Sequence, residues 1–402
     1  MRISTCTLMF AAVAAAPAAA QPLSLKPLFD GRLRYETVDQ AGLGLDANAV
    51  TLRLRAGVSA ISGPWSALAE GQGTVAIVDD YFDGLHGAAP PPIVADPENL
   101  ALYRAQLQYK TKPLTVTLGR QRIALDDERF VGAVGFRQNG QTFDAVRAEW
   151  VPFKGVKADL SYAWSNRTIW GIDGSGARQQ AVSGDNLFAN LAVTTPAGLL
   201  SGFAYLVDQD EAAMQGFRLS SQSYGVRLAG SRALSKNAKL SWAASYARQS
   251  DYHRNPNDYR ADYYLVDGTL DVAQWKFNAG YEVLGADQGA ALTSFQTPLA
   301  TLFKFQGWAD KFLTTPPQGV RDLYAGVGWS KKKLGKIDVL TLQATAHRFR
   351  SDRLGQHYGR EIDLLASAKV GRTVFAARFA DYRAREFATD TRKFWLSVDW
   401  AL

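Results

Sequence analysis

Hydrophobic and polar residues alternate with a period of two along most of this chain, in segments of about ten residues. In 29–36, Phe29, Gly31, Leu33 and Tyr35 share one face, and Asp30, Arg32, Arg34 and Glu36 share the other. Leu52, Leu54, Ala56 and Val58 oppose Thr51, Arg53, Arg55 and Ser59. The same rule sets Tyr103, Ala105, Leu107 and Tyr109 against Arg104, Gln106, Gln108 and Lys110. It recurs at 156–165, 239–246 and 275–283, and it ends in Phe394, Leu396, Val398, Trp400 and Leu402. Alternation of this kind predicts strands with one apolar and one wet face. A charged residue on nearly every polar face is unusual for a soluble sandwich.

The connections alternate as well. Short turns are predicted at 111–113, 152–155, 195–198, 235–237 and 371–372. Longer polar loops are predicted at about 81–99, 124–141, 166–185, 208–221 and 286–319. Short turns at one end and long loops at the other fit a transmembrane antiparallel β-barrel with short periplasmic turns and long extracellular loops. Counting segments gives about 18 strands, and an even number places both termini in the periplasm. Tyr35, Trp65, Tyr81, Trp150, Trp164, Trp170, Tyr252, Tyr263, Trp329 and Trp395 fall near strand ends, as interfacial girdles do. High aromatic strand propensity accounts for the same placement.

Composition then narrows the class. The chain has 402 residues and is 47% hydrophobic, yet its mean hydropathy is −0.16. No apolar run of about 18 residues follows residue 20, which excludes spanning helices. Residues 1–20 read as a secretory signal: Arg2, then the apolar run 8–13, then Ala18-Ala19-Ala20. The barrel is therefore expected over 21–402. The single cysteine, Cys6, lies within that signal, so the mature chain is expected to carry no disulfide.

The formal net charge is +7. The basic residues stand singly at alternate strand positions rather than in clusters, which argues against nucleic acid and for a solute or polysaccharide anion. Arg34, Arg53, Arg55, Arg104, Arg147 and Arg378 are expected to line the lumen, together with Arg32 and Arg227. A guanidinium offers carboxylates a planar, permanently charged fork. Glu36, Glu70, Glu149, Asp159 and Glu361 share the polar face, so cross-strand ion pairing is the competing reading.

The loop with Arg120, Arg122, Asp126, Arg129, Arg137, Gln138 and Asn139 is dense in donors. It reads as an inward-folded constriction or as a solvated outer loop with internal ion pairs. The loop from Phe295 to Gly319 has an apolar core of Leu299, Leu302, Phe303, Phe305, Trp308 and Phe312. It must pack on something, and a plug or lid is expected, with a short helix within it possible. None of the four histidines forms a triad or has metal-ligand spacing, so no enzyme activity and no cofactor are expected. His347 is placed to face the lumen. Asp79-Asp80 and Asp126-Asp127-Glu128 are candidates for loop calcium, with solvated charge the plainer reading.

Two segments are more specific. The first is Gly119-Arg120-Gln121-Arg122-Ile123, Asp126 to Gly132, Phe136-Arg137-Gln138-Asn139 and Gln141-Thr142-Phe143-Asp144. The second is Phe295 to Leu299, Phe305 to Phe312, Thr315 to Gly319 and Asp322-Leu323-Tyr324. Together they resemble the alginate-export outer-membrane porin family. The resemblance implies a monomeric 18-stranded barrel in outer-membrane lipid, delivered by the barrel-assembly machinery. Its lumen would pass an anionic polysaccharide such as alginate, or a small anionic solute, through a basic constriction. General small-solute uptake is the alternative on the same scaffold, with a barrel enzyme or adhesin behind it.

Overall fold

The computed structural model describes residues 22–87, 91–211 and 216–402. The expected signal segment, residues 1–20, lies outside them. Eighteen strands run β1 (Ser24–Gln40), β2 (Ala47–Ser62), β3 (Trp65–Asp80), β4 (Asn99–Lys110), β5 (Leu114–Gln121), β6 (Thr142–Trp150), β7 (Val156–Arg167), β8 (Ala181–Thr195) and β9 (Gly198–Val207). The second half is β10 (Ser221–Ser235), β11 (Ala238–Asp251), β12 (Arg260–Val272), β13 (Trp275–Leu284), β14 (Val320–Leu334), β15 (Ile337–Arg350), β16 (His357–Val370), β17 (Thr373–Ala384) and β18 (Thr391–Ala401). Each strand pairs antiparallel with its sequence neighbours, and β1 pairs with β18, so the sheet closes and leaves no edge.

The closing seam sets Gly31 opposite Trp400 and Arg32 opposite Asp399. Glycine is needed there: a Cβ on residue 31 would stand 2.2 Å from the Trp400 ring. The indole covers the gap, as an aromatic does across from a strand glycine. Odd-numbered connections are long, and even-numbered ones are turns of two to five residues. Both ends of the sheet therefore lie at the short-turn mouth.

Alternation sorts the faces as expected over most strands. Leu54 and Leu160 are exposed on the lipid face, while Thr51, Arg53 and Arg55 are buried inside. One strand departs. Glu70 opposes Arg104 and Gly71 opposes Leu102, so Tyr103 is an extra residue on β4. This bulge turns Tyr103 inward beside Arg104, and Arg55 stacks on its ring at 3.8 Å. Tyr103 is thus not on the lipid face that strict alternation assigns it.

The inner face is not uniformly polar. Phe143, Phe188, Phe203, Tyr205, Tyr263, Phe349, Tyr382 and Trp395 are buried inside and pack with loop residues into one apolar cluster. Tyr263 and Trp395 therefore leave the girdle to which their strand-end positions assign them. Trp65, Trp150 and Trp164 do face outward.

Candidate functional site

What those inward aromatics pack against is the pair of loops 122–141 and 285–319. Both fold into the barrel. They join each other first: Gly132 N–H donates to the Leu299 carbonyl at 2.9 Å, and Thr301 N–H to the Glu128 carbonyl at 3.0 Å. Phe136 stacks face to face on Phe303, and Trp395 meets both rings edge-on. A short 3-10 turn at Leu302–Lys304 carries Phe303 to this stack. The constriction and plug expected from these loops are therefore one body.

That body is anchored to the wall by charge. Arg129 is 1% exposed; its Nε donates to Glu282 of β13 at 2.7 Å, and its other nitrogens reach Thr297 and Gln306. Arg137 pairs with Glu36 of β1 at 3.3 Å and with Asp310 at 2.7 Å. Lys393 of β18 reaches the same Asp310 oxygen at 2.9 Å. Burial works against charge at Asp310, but Lys393 and Arg137 outweigh it and hold the carboxyl below its usual pKa. Burial also opposes the charge on Arg137; Glu36 and Asp310 outweigh it and raise the pKa. Gln138 donates to Thr51 and Asn139 to the Pro97 carbonyl, which fixes the loop's far end.

On one side of this body the strands present a basic wall. Arg32, Arg34, Arg53, Arg55, Arg378 and Lys393 face inward from β1, β2, β17 and β18. Asp30, Glu36 and Asp399 are the carboxylates among them. Arg34 pairs with Asp96 at 3.1 Å and donates to the Phe136 carbonyl. Arg53 pairs with Asp30, and Arg32 with Asp399. Among the described residues Arg55 and Arg378 make no ion pair: Arg55 donates to Gln72 at 2.7 Å, and Arg378 lies 5.6 Å from the Phe136 ring. Further round, Arg104 closes on Glu70 at 2.6 Å and Arg147 on Asp159 at 2.6 Å.

Next to it, from β16 back to β12, stands an acidic wall, since β16 pairs with β17. Asp267, Glu282, Asp322, Glu361 and Asp363 point inward from β12, β13, β14 and β16. His347 of β15 sits between two of them, 2.9 Å from Asp322 and 3.6 Å from Asp363. The plug docks here through Ala309 N–H, which donates to Glu361 at 2.7 Å. A cavity of about 310 Å³ remains between this wall and the plug, with Arg227, Lys304, Phe305 and Trp308 on its other side.

Two of the ten expected lumen arginines are elsewhere. Arg120 shares the side of β5 that carries the exposed Leu118. It closes on Asp144 at 2.8 and 2.9 Å, and Asp144 shares a side with the outward Val146. Arg122, on the next outward position, is exposed. The loop's donor density misled here, because its two flanking residues continue the strand's outer face. Asp126, Asp127 and Glu128 are engaged by Tyr205 and Asn190, Arg227, and Thr301 respectively. Burial raises the Asp126 pKa, although Arg227 is near. Sequence reading placed Glu361 and His347 inward but missed Lys393, Asp310 and the gathering of carboxylates into an acidic wall. The spacing of Glu361 and Asp363, two apart on one strand face, was the available signal.

A closed meander of 18 strands with short turns at one mouth and charged inner walls is an outer-membrane, porin-like channel. Residues 27–169 match the sequence model of the family described as Alginate export, so the chain carries that family's signature there; the second motif lies beyond the matched stretch. No curated protein sequence matches the chain. Among solved structures it is similar to OccAB4 of Acinetobacter baumannii (13% identity, 94% of this chain and 98% of that one, TM-score 0.70). It is also similar to OccD3 (OpdP) of Pseudomonas aeruginosa (13% identity, 96% and 93%, TM-score 0.69). OpdK of Pseudomonas aeruginosa, crystallised with vanillate, is a third (12% identity, 94% and 98%, TM-score 0.68). At these identities the likeness is one of fold. The short turns and both ends of the sheet are therefore periplasmic.

Proposed function

We propose that this channel passes carboxylate-bearing solutes along its basic wall, with uronic-acid oligosaccharides of the alginate type as the leading class. The observation that carries this reading is the pair Arg55 and Arg378. Both point inward and neither is neutralised by a carboxylate among the described residues, so their positive charge is left to attract a passing anion. The match of residues 27–169 to the alginate-export family supports the same class.

A smaller solute is the second reading. Loops 122–141 and 285–319 occupy much of the lumen, which suits a small carboxylate better than a polymer. A barrel of the same fold was crystallised with vanillate, itself a carboxylate. Transport rather than catalysis fits His347, whose two ring nitrogens each face a carboxylate, Asp322 and Asp363.

Reversal potentials across planar bilayers in a KCl gradient test the proposal. Anion preference is expected, reduced in Arg55→Gln and Arg378→Gln. A cation-selective channel would overturn it. Current block by galacturonate oligomers of increasing length separates the two solute classes.

A further inference from the structure

Lysine and arginine are segregated along the barrel axis. Thirteen of the chain's sixteen lysines lie at the periplasmic mouth, in its turns or on the last residues of its strands. The other three, Lys304, Lys311 and Lys393, belong to the plug and the wall it touches. The opposite mouth carries mainly aspartate and arginine in mutual pairs, such as Arg254 with Asp210 and Arg321 with Asp352.

Strand parity shows which way these lysines point. Lys26 lies in step with the inward Asp30 and Arg32 of β1, and Lys157 with Asp159 of β7. Lys276 is in step with Glu282 of β13, Lys332 with Asp322 of β14, and Lys369 with Asp363 of β16. Register agrees: Lys332 and Lys369 both oppose Val339, and Lys276 opposes Asp271, which also opposes Lys239. Lys110, opposite Thr115, completes a ring of seven around the vestibule. Two have a carboxylate at ion-pair distance: Lys157 with Glu149 at 2.9 Å, and Lys239 with Asp271 at 3.8 Å. Among the described residues the other five have none.

Like charges gathered around one wet opening repel each other and do not stabilise a fold. Serving the membrane's anionic headgroups would place them on the outer face. Of the strand lysines at this mouth, only Lys331 and Lys333, with outward parity on β14, are placed for that. An ammonium on a flexible stem is a mobile point charge, suited to holding a chain of charges loosely; the arginine fork orients one carboxylate. The basic face also continues from Lys26 past Asp30 to Arg32 and Arg53.

We infer that the periplasmic vestibule captures a linear polyanion, one carrying a carboxylate on each repeat, before it meets the arginines deeper in. This rests on the channel reading and adds to it a docking site and a side of entry.

The test uses the full barrel in planar bilayers, with a galacturonate decamer added to one side at a time. Block from the periplasmic side should need about tenfold less decamer than block from the other side, as expected when fixed charge concentrates a counter-ion at one mouth. The triple variant K276Q/K332Q/K369Q should remove this sidedness, and K331Q/K333Q should keep it. Equal block from both sides of the native channel would overturn the inference. So would sidedness that survives the triple variant, or sidedness lost in K331Q/K333Q with weaker binding to phosphatidylglycerol vesicles, which would mark a lipid contact. The solute reading falls separately, on the polymer-free reversal potential; the triple variant's migration before and after heating shows that it has folded.

Discussion

The basic wall of β1, β2, β17 and β18 and the acidic wall of β12 to β16 adjoin where β16 pairs with β17, and both touch one plug, yet they hold it differently. On the basic side the plug gives both acceptors and a donor: the Phe136 carbonyl accepts from Arg34 and Asp310 from Lys393, while Arg137 donates to Glu36. On the acidic side it gives donors: Arg129 to Glu282 and Ala309 N–H to Glu361. The cations that hold the plug on one arc and the carboxylates that hold it on the next divide the lumen wall by charge. A solute carboxylate would be drawn to the basic wall and repelled from the other. The difference teaches that the +7 formal charge says little about selectivity, because opposite charges are sorted by side.

The most severe way to break the comparison is to cut the acidic-wall anchor. Arg129→Ala leaves Glu282 buried without its partner, which costs about 3–5 kcal/mol in such pairs. Freed plug segments should become protease-sensitive, and single-channel conductance should rise. Unchanged conductance would mean that the plug is held by its aromatic stack alone. Next comes the inside–outside assignment on which both walls rest. Leu54→Arg and Leu160→Arg should cost about 2–4 kcal/mol near the midplane, read from urea unfolding in vesicles. Ala243→Arg, which lines the acid-side cavity, should be tolerated. Equal losses would refute the faces.

Smaller effects sharpen the contrast. Arg53→Glu and Arg147→Glu should each lower anion preference by about fivefold, roughly 1 kcal/mol for a charge reversal in a water-filled lumen. Asp322→Asn should raise it. Arg120→Glu should leave it unchanged, because that residue lies on the outer side. Reversal potentials read all four.

The least effect is a pH step from Lys311. Burial lowers its pKa to about 8, Lys393 adds to this, and Glu361 and Asp310 oppose it. Its charge on the basic side is lost through about pH 8, so anion preference should fall there, and Lys311→Arg should abolish the step. In the unfolded chain the lysine keeps its proton to about pH 10.4. Between these values the unfolded state binds more protons, so this group's contribution to folding stability rises with pH. A flat selectivity profile from pH 7 to 9 in the native channel would place Lys311 away from the ion path.

Much of this was legible along the chain. The expected inward positions of Arg34, Arg53, Arg55, Arg104, Arg147 and Arg378 hold, as do those of Glu36, Glu70 and Asp159. Arg129 and Arg137 are in the lumen too, by loop insertion rather than strand parity. Arg120 and Arg122 were misread because they continue the outer face of β5 into the loop, and Tyr103, Tyr263 and Trp395 for two other reasons. A bulge shifts parity without leaving a mark in the local pattern, and a strand-end aromatic serves equally well as a girdle or as a seat for an inserted loop.

The sequence by itself determined the closed barrel, the order of its strands, its long and short ends and most of its inner face. Those properties follow from a side-chain period of two and from turn lengths, which are local. Only the tertiary structure decided that the two loops enter the lumen as one body, and that cations gather on one wall and carboxylates on the other. Contacts such as Arg129 with Glu282 span 153 positions. They exist because closure brings distant strands face to face across a space narrow enough for one side chain to bridge from plug to wall.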